Sequence, residues 1–579
     1  MTSNAEIGRV LQELVDLLVM AEGSKQAFRV RAYEKAVAAV QALPQDAAAM
    51  TATELVKVPG VGKSTAGKIR EYVDTGAVAR ITALRQRFPA EMMELTRIPG
   101  LGPKTVVMLR DQLDVASVDQ LREAIANESL QGLPGLGPKS QQKIAAAIER
   151  IGLHGKDRRT PIADALPIAE DLVQALMDLP AVSKAQYCGS LRRFRETIAD
   201  IDVVVASKEP AEVMAAFVAM PLVDSIIGQG ETKTSVLTAA GLQIDLRVVA
   251  ASQFGAAVLY FTGSKQHNIE LRQRSIDRGL LLNEYGLEDS ASGKVVSSRT
   301  ETAIYKALGL RYIPPEMREG LGEIAAGDAG TMPRLIEVDD IRGDLHVHST
   351  WSGDGRSPLD DMVAAAAARG LEYIAMTEHA EDLKINGLSR EQVFAESKEL
   401  DRLRTEYPDL TILHGSELNI GADGTVDYDP DFLENFDWCV ASVHTYFELS
   451  EAEQTERVIT AMNNPAVSAI GHLTGRRIGH RPGIELNSRA IFDAAAETGT
   501  ALEINGHLHR LDVPADLLVT ARNTNGLRFV ISTDSHHTTE YENVQWGVNN
   551  ARRGWVDRES VINTLPLASF LDFVAAKRR

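Results

Sequence analysis

Two cysteines, Cys188 and Cys439, are all that the 579 residues contain, and they stand far apart. A disulfide scaffold and a cysteine-built zinc site are therefore excluded, and a reducing cytoplasm is the expected compartment. No apolar run approaches the ~20 residues that a membrane-spanning helix needs, and no signal-peptide pattern opens the chain, so no membrane partner is expected. The sequence also lacks the basic excess common in nucleic-acid-binding proteins, its net charge being −19.

The distribution of that charge matters more than its sum. Residues 1–320 carry 38 basic and 38 acidic side chains, whereas residues 321–579 carry 23 and 42. Histidine divides the same way, with His154 and His267 early and the other 11 of 13 after residue 340. A chain this long exceeds a single core, which stops growing near ~250–300 residues. It reads as a charge-balanced first half and an acidic, histidine-rich second half, with the small, irregular stretch 322–333 as the best linker between them.

The first ~50 residues have helical spacing, with Ile7, Val10, Leu11, Leu14, Leu17 and Leu18 on one face. An internal repeat follows at residues 55–69, 95–109 and 130–144. Each copy has an apolar turn with Pro-Gly-(Val/Leu)-Gly, then a lysine, then a helix. The glycines are Gly60 and Gly62, Gly100 and Gly102, and Gly135 and Gly137, and the lysines are Lys63, Lys104 and Lys139. Such glycines permit close backbone approach, and the helix start suits a phosphate. The copies resemble helix-hairpin-helix units, which grip a nucleic-acid backbone without reading bases.

Residues 188–205 read CGSLRRFRETIADIDVVV. In a strand, Asp200 and Asp202 project to one side, a mount for oxygen-loving divalent cations, although a lone Asp-x-Asp is commonly no more than a strand end. Asp245 lies in a second strand-like run, Leu242 to Val248, and would complete a cage for two-metal phosphoryl chemistry. Gly189, Ser190 and Arg193 offer donors to a triphosphate. Tyr260-Phe261-Thr262-Gly263-Ser264 follows, with Asn268 and Arg272 downstream.

On these motifs, residues 1 to about 318 resemble a family X DNA polymerase of the DNA polymerase beta type. The resemblance implies that Asp200 and Asp202 hold two metals, Mg²⁺ or Mn²⁺, and that Asp245 holds the catalytic one. It implies that Gly189, Ser190 and Arg193 bind the triphosphate of a dNTP, and that Tyr260 and Phe261 flank its sugar with Gly263 close by. Asn268 would touch the incoming base and Arg272 the template strand. Lys68 corresponds to the Schiff-base lysine of the family's lyase domain. Phe194 and Ala199 stand where glycine is usual in the family, and both are expected to tighten the triphosphate pocket.

In the second half the motifs follow short apolar runs: Asp344-Leu345-His346-Val347-His348, Asp354, His379, Glu417, His444, His472, and Asp534-Ser535-His536. Strands alternating with helices, with polar residues at strand C-terminal ends, indicate a β/α barrel with its site at that mouth. Imidazoles with a few carboxylates suit Zn²⁺, Mn²⁺ or Fe²⁺. The pattern resembles the polymerase and histidinol phosphatase (PHP) domain, a distorted barrel of about seven β/α units. That resemblance implies up to three metals on the nine residues His346, His348, Asp354, His379, Glu417, His444, His472, Asp534 and His536. Glu378 stands where aspartate is more usual, and His414, His480, His507, His509 and His537 match no ligand position.

The expected organisation is α-helical DNA-binding segments over 1–80 and 81–155, an α+β nucleotidyltransferase palm over 156–255 and a thumb-like subdomain over 256–320. A linker over 321–340 and the barrel over 341–579 complete it. The expected activity is gap-filling DNA synthesis in repair with 3′–5′ exonuclease, and with 3′-phosphatase or abasic-site endonuclease as related reactions. The expected partners are gapped or nicked DNA and dNTPs, and the expected state is a monomer. A non-catalytic barrel scaffold and a phosphatase of small phosphoesters are the competing readings.

Overall fold

The computed structural model describes residues 4–22, 28–41, 43, 47–88, 92, 95, 98, 101–127, 129–134, 136–137, 140–141, 144–145 and 159–578. Its contacts divide the chain into two units: 1–158 with the short turn 238–242, and the remainder.

The first unit is helical. Helices Asn4–Glu22 and Phe28–Gln41 bury Leu11, Leu14, Leu18, Val30 and Val40. Its first hairpin starts with the short helix Ala52–Leu55, capped reciprocally by Thr51 and Glu54. The chain then turns through Gly60, at φ 96°, into the helix Lys63–Thr75 with Gly62 as its N-cap. The second copy repeats the plan, with Gly102 capping Pro103–Leu113. A Cβ added at Gly62, Gly102 or Gly137 would meet nothing within 4 Å, so backbone lies open at all three turns. Gly100, Gly135 and Lys139 lie outside the described residues.

The second unit begins with helix Ile162–Met177 on a five-stranded mixed sheet. Its strands are β1 (Val182–Tyr187), β2 (Asp200–Ser207), β3 (Ser225–Gln229), β4 (Lys233–Leu237) and β5 (Gln243–Val249), in the order β1-β2-β5-β4-β3. Pairing of β2 with β5 is parallel and the other pairings are antiparallel. The thumb follows: helices Phe254–Thr262 and Lys265–Asp277, a three-stranded antiparallel sheet, and helix Glu301–Ala307.

The segment expected to be an irregular linker is folded. It forms the helix Glu323–Ala329, whose Glu323 is buried and accepts hydrogen bonds from the backbone of Gly320 and Leu321. His267 of the thumb pairs with the same carboxylate at 2.7 Å. The small residues permit close packing, Gly327 lying against Leu310, Ile313 and Met332.

Seven parallel strands then follow in sequential order: β6 (Gly343–Val347), β7 (Tyr373–Met376), β8 (Thr411–Asn419), β9 (Trp438–Ser442), β10 (Val467–Gly471), β11 (Ala501–Asn505) and β12 (Phe529–Ser532). The first and last strand ends meet through the Val347–Ser535 bridge and the His348 N–H donating to the Ser535 carbonyl at 2.8 Å, so the barrel is nearly closed. Alternate residues serve two cores, as a sheet covered on both faces requires. Leu345, Tyr373, Ala375 and Leu413 join Phe570 of the C-terminal helix, while Ile374, Met376 and Ile412 pack under helix Leu359–Ala368.

Candidate active sites

The first site grows from strand register. β2 and β5 run parallel with Asp202 beside Asp245, and Asp200 lies two residues back on the same face. The Cys188 N–H donates to the Asp202 carbonyl at 2.7 Å, which brings the Gly189-Ser190 turn over the carboxylates. Gly189 is required there. Its φ is 62°, and a Cβ would stand 2.5 Å from Asp202 Oδ2.

Burial, and then repulsion from Asp200 and Asp245, pushes the Asp202 carboxyl up to about 7. Burial and Asp245 also raise Asp200. Burial alone would raise Asp245 too, but hydrogen bonds from Gln243 and Ser235 and the Lys233 ammonium, 3.1 Å from Oδ2, bring it below the usual range. Three crowded carboxylates form an oxygen-only donor set that fits Mg²⁺ or Mn²⁺.

The residues expected around a nucleotide gather beside this face. Arg193 donates to the Thr262 carbonyl at 2.5 Å and pairs with Glu319 at 3.1 Å. Gly263, at φ 68°, sits against the Arg193 guanidinium. Tyr260 and Phe261 meet edge to face at 5.0 Å, Arg272 lies over the Tyr260 ring, and Asn268 donates to the Tyr260 carbonyl at 2.8 Å. Ser190 lies in the turn between Gly189 and Arg193.

Phe194 follows Arg193 in the chain. Its backbone is left-handed, φ 57°, a conformation that costs an L-residue about 1–2 kcal/mol and favours glycine. Its ring stacks on Trp546 of the barrel half, centroids 5.6 Å apart and planes within 14°. Ala199 is exposed.

In the first unit, Lys68 Nζ lies 3.0 Å from Ser64 Oγ and over the Tyr33 ring. Lys63 is exposed at its helix start, and Lys104 occupies the corresponding first turn of the second copy.

The second site is the mouth of the barrel. Glu417, at the end of β8, is buried and central. Its Oε1 lies 2.9 Å from His472 and 3.2 Å from His444, and its Oε2 lies 2.8 Å from His379, 3.4 Å from His346 and 3.5 Å from His348. Asp534 Oδ1 is 3.6 Å from both His346 and His348. Asp354, half-exposed in its loop, reaches His379 at 3.3 Å and His536 at 3.6 Å. All nine expected residues are thus brought together. Among the described residues, three overlapping groups have ligand atoms within 4.8 Å of one another: His348-His379-His536, His346-His348-Asp534 and His379-Glu417-His444.

His346 Nε2, His348 Nε2, His379 Nδ1 and Glu417 Oε2 are buried with no hydrogen-bond partner. Buried polar atoms are ordinarily paired, so four orphans facing one another fit bound cations. The carboxylates of the cluster draw positive charge toward it. Burial opposes charge on His346, yet Glu503, Glu417 and Asp534 outweigh it and raise the imidazole. Burial and then His536, His379 and His346 drive His348 far down. His472 and Asp534 both hold positive φ, 24° and 56°, as is common where function fixes a strained residue.

Other residues support the cluster, and among them Glu503 was not anticipated. Glu503, in β11, accepts from His346 Nδ1 at 2.7 Å and from the His472 N–H at 2.6 Å. Asp344 accepts from Thr533 Oγ1 at 2.5 Å across the barrel seam. Glu378 takes four hydrogen bonds from the N–H and hydroxyl groups of Ser349 and Ser352, closing the loop after His348. His414 lies 3.6 Å from buried Glu396, and the His507 and His509 rings lie 5.5 Å apart.

The chain matches family models described as a helix-hairpin-helix domain over residues 2–78 and a SAM-like helix-hairpin-helix tandem over 92–150. It also matches the DNA polymerase beta thumb over 257–319 and the PHP domain over 344–563. It is 37% identical over 543 residues to the DNA polymerase/3'-5' exonuclease PolX of Bacillus subtilis, covering 93% of this chain and 94% of that protein. DNA polymerase lambda of Rattus norvegicus is 26% identical over 345 residues, 53% of this chain and 56% of its own. A probable phosphatase of Syntrophotalea carbinolica is 33% identical over 167 residues, 28% of this chain and 64% of its own.

Proposed function

Because the chain belongs to the family of the bacterial DNA polymerase/3'-5' exonuclease PolX, we propose that its two sites are metal-dependent centres of opposite effect, one extending a 3′ end and the other removing nucleotides from it. The proposed substrates are gapped or nicked DNA and dNTPs, handled by a monomer. Asp200, Asp202 and Asp245 would hold two ions, Mg²⁺ or Mn²⁺. The nine residues of the barrel mouth would hold up to three, drawn from Zn²⁺, Mn²⁺ and Fe²⁺.

Bound divalent cations lower the pKa of a primer 3′-hydroxyl or a water and neutralise the phosphate under attack. The remaining work falls to the chain itself. Ser190 and Arg193 hold the triphosphate; Tyr260 and Phe261 wall the sugar, with Gly263 keeping the backbone close. Asn268 meets the base and Arg272 the template. The repeat residues Gly60, Gly62, Gly100, Gly102, Gly135 and Gly137, with Lys63, Lys104 and Lys139, bind the DNA backbone, a reading supported by the open space at Gly62, Gly102 and Gly137.

The observation that carries a catalytic rather than a scaffolding barrel is the set of orphaned ligand atoms on His346, His348, His379 and Glu417. Primer extension and degradation on gapped DNA, run side by side, test the scheme. Asp200→Ala is expected to abolish synthesis and spare degradation, and His348→Ala to do the reverse. Loss of both activities in either variant would refute two separate centres.

Lys68 is the proposed amine for an abasic-site aldehyde, since a DNA-facing lysine can form a Schiff base. Borohydride is expected to trap the wild-type protein on abasic DNA. Trapping that persists in Lys68→Ala would remove that role.

A further inference from the structure

The palm turn that follows the Gly189-Ser190 motif is held by its own palm and by Thr262 and Glu319 of the thumb, and also by the barrel half. Phe194 is buried and stacks on Trp546, which lies on the helix Val544–Arg553. At the end of that helix, Arg553 donates to the carbonyl of Arg193 at 3.1 Å. Its guanidinium lies 3.7 Å from Glu319, and Glu319 also receives Arg193 Nε at 3.1 Å and Arg195 at 3.5 Å. Two residues on, Glu196 pairs with Arg476 at 2.7 Å. Arg476 itself donates to the carbonyls of Arg510 and Leu511 in the loop after β11. Burial lowers Arg553 only to about 10, so it remains a cation at neutral pH.

Each residue of the turn from Arg193 to Glu196 therefore has a partner that fixes it. Phe194 is the informative one, because a phenylalanine at φ 57° persists only where its surroundings determine the conformation. Phe194 directly follows Arg193, so the Trp546 stack and the Arg553 hydrogen bond to the Arg193 carbonyl together hold the backbone from which the Arg193 side chain projects. We propose that Trp546 and Arg553 are positioning residues for nucleotide addition: the barrel fixes the turn Arg193–Glu196 and thereby presents the Arg193 guanidinium to the incoming triphosphate. The proposal rests on Arg193 being a triphosphate contact. It gives the barrel a second use, independent of its metals.

Steady-state gap filling by the full-length protein tests this, with exonuclease activity measured on the same preparations. Trp546→Ala is expected to raise the dNTP KM about tenfold while kcat and exonuclease activity change little, the signature of binding lost equally from the ground and transition states. Trp546→Phe keeps an aromatic partner and is expected to restore the wild-type KM. Phe194→Gly, although better suited to positive φ, is expected to raise KM as Trp546→Ala does. The double variant is expected to be no worse than either single one, because both remove the same stack. Arg193→Ala separates the premises. If it leaves KM unchanged, Arg193 is not a triphosphate contact and the proposal falls with that reading. If Arg193→Ala raises KM and Trp546→Ala does not, the barrel does not position the arginine. Should Trp546→Ala also lose exonuclease activity through misfolding, an unchanged KM in Phe194→Gly gives the same refutation.

Discussion

Glu503 coordinates none of the cations proposed here, yet both of its oxygens are committed to residues that do. One holds His346 Nδ1 and so turns Nε2 toward Glu417, and the other holds the backbone of His472 in its left-handed conformation. A carboxylate behind a metal-binding imidazole fixes ring orientation, and its loss typically costs about 10–100-fold in metal affinity or activity. Glu503→Gln is therefore expected to lower retained metal and exonuclease rate within that range, while primer extension stays at the wild-type rate. Metal content by mass spectrometry beside the two activity assays checks it. Glu503 was hidden in the sequence because Ala501-Leu-Glu-Ile-Asn carries no histidine and no glycine. Its one signal is an acid between Leu502 and Ile504 in a run otherwise fit for a buried strand. Phe194 shows the converse. Its departure from glycine was visible, but the direction of its ring depends on Trp546, 352 positions away in the chain, and no local pattern encodes that.

At the scale of elements, the helix Glu301–Ala307 ties thumb to palm. Its Glu301 meets Arg192 of the Gly-Ser turn at 2.7 Å and the fully buried Arg318 at 2.6 Å. Burial by itself would raise the Glu301 carboxyl, but Arg318 and Arg192 together outweigh it and bring it down to about 2. A carboxylate whose pKa is depressed on folding contributes stability above its unfolded value, near 4.5, and loses it as pH falls through about 2. Glu301→Gln is thus expected to lower the thermal midpoint strongly at neutral pH, since removing one member of a buried ion pair costs about 3–5 kcal/mol. The gap from wild type is expected to shrink as pH drops from about 4.5 toward about 2, as calorimetry across that window would record. Elements with a strong chemical signature were legible in advance: the repeated glycine turns, the Asp200-x-Asp202 strand and the strand ends bearing histidine. The helix Glu323–Ala329 was not, because alanine and glycine lack an amphipathic pattern, and its anchor is the distant His267. Strand β11 was missed because His507, two residues past its end, matches no ligand position of the resembled family.

Across the whole molecule, the uneven histidine content follows from two donor sets with different tastes in metal, six of the 11 late histidines standing at the barrel mouth. The polymerase face offers only carboxylate oxygen from Asp200, Asp202 and Asp245, whereas the barrel mouth adds six imidazoles to three carboxylates. Hard Mg²⁺ takes oxygen ligands and keeps much of its water, while imidazoles joined by a few carboxylates suit Zn²⁺, Fe²⁺ or Mn²⁺ better. The protein's two activities should therefore separate by metal. Dialysis against a strong chelator is expected to abolish both synthesis and degradation on a primed template. Adding back Mg²⁺ alone is expected to restore synthesis while degradation remains low, and Mn²⁺ is expected to restore both. Stripping the barrel also leaves His346 Nε2, His348 Nε2, His379 Nδ1 and Glu417 Oε2 buried without a hydrogen bond, so the chelated protein should melt at a lower temperature and regain stability with Mn²⁺. Full recovery of degradation with Mg²⁺ alone would mean that the imidazoles do not select the metal.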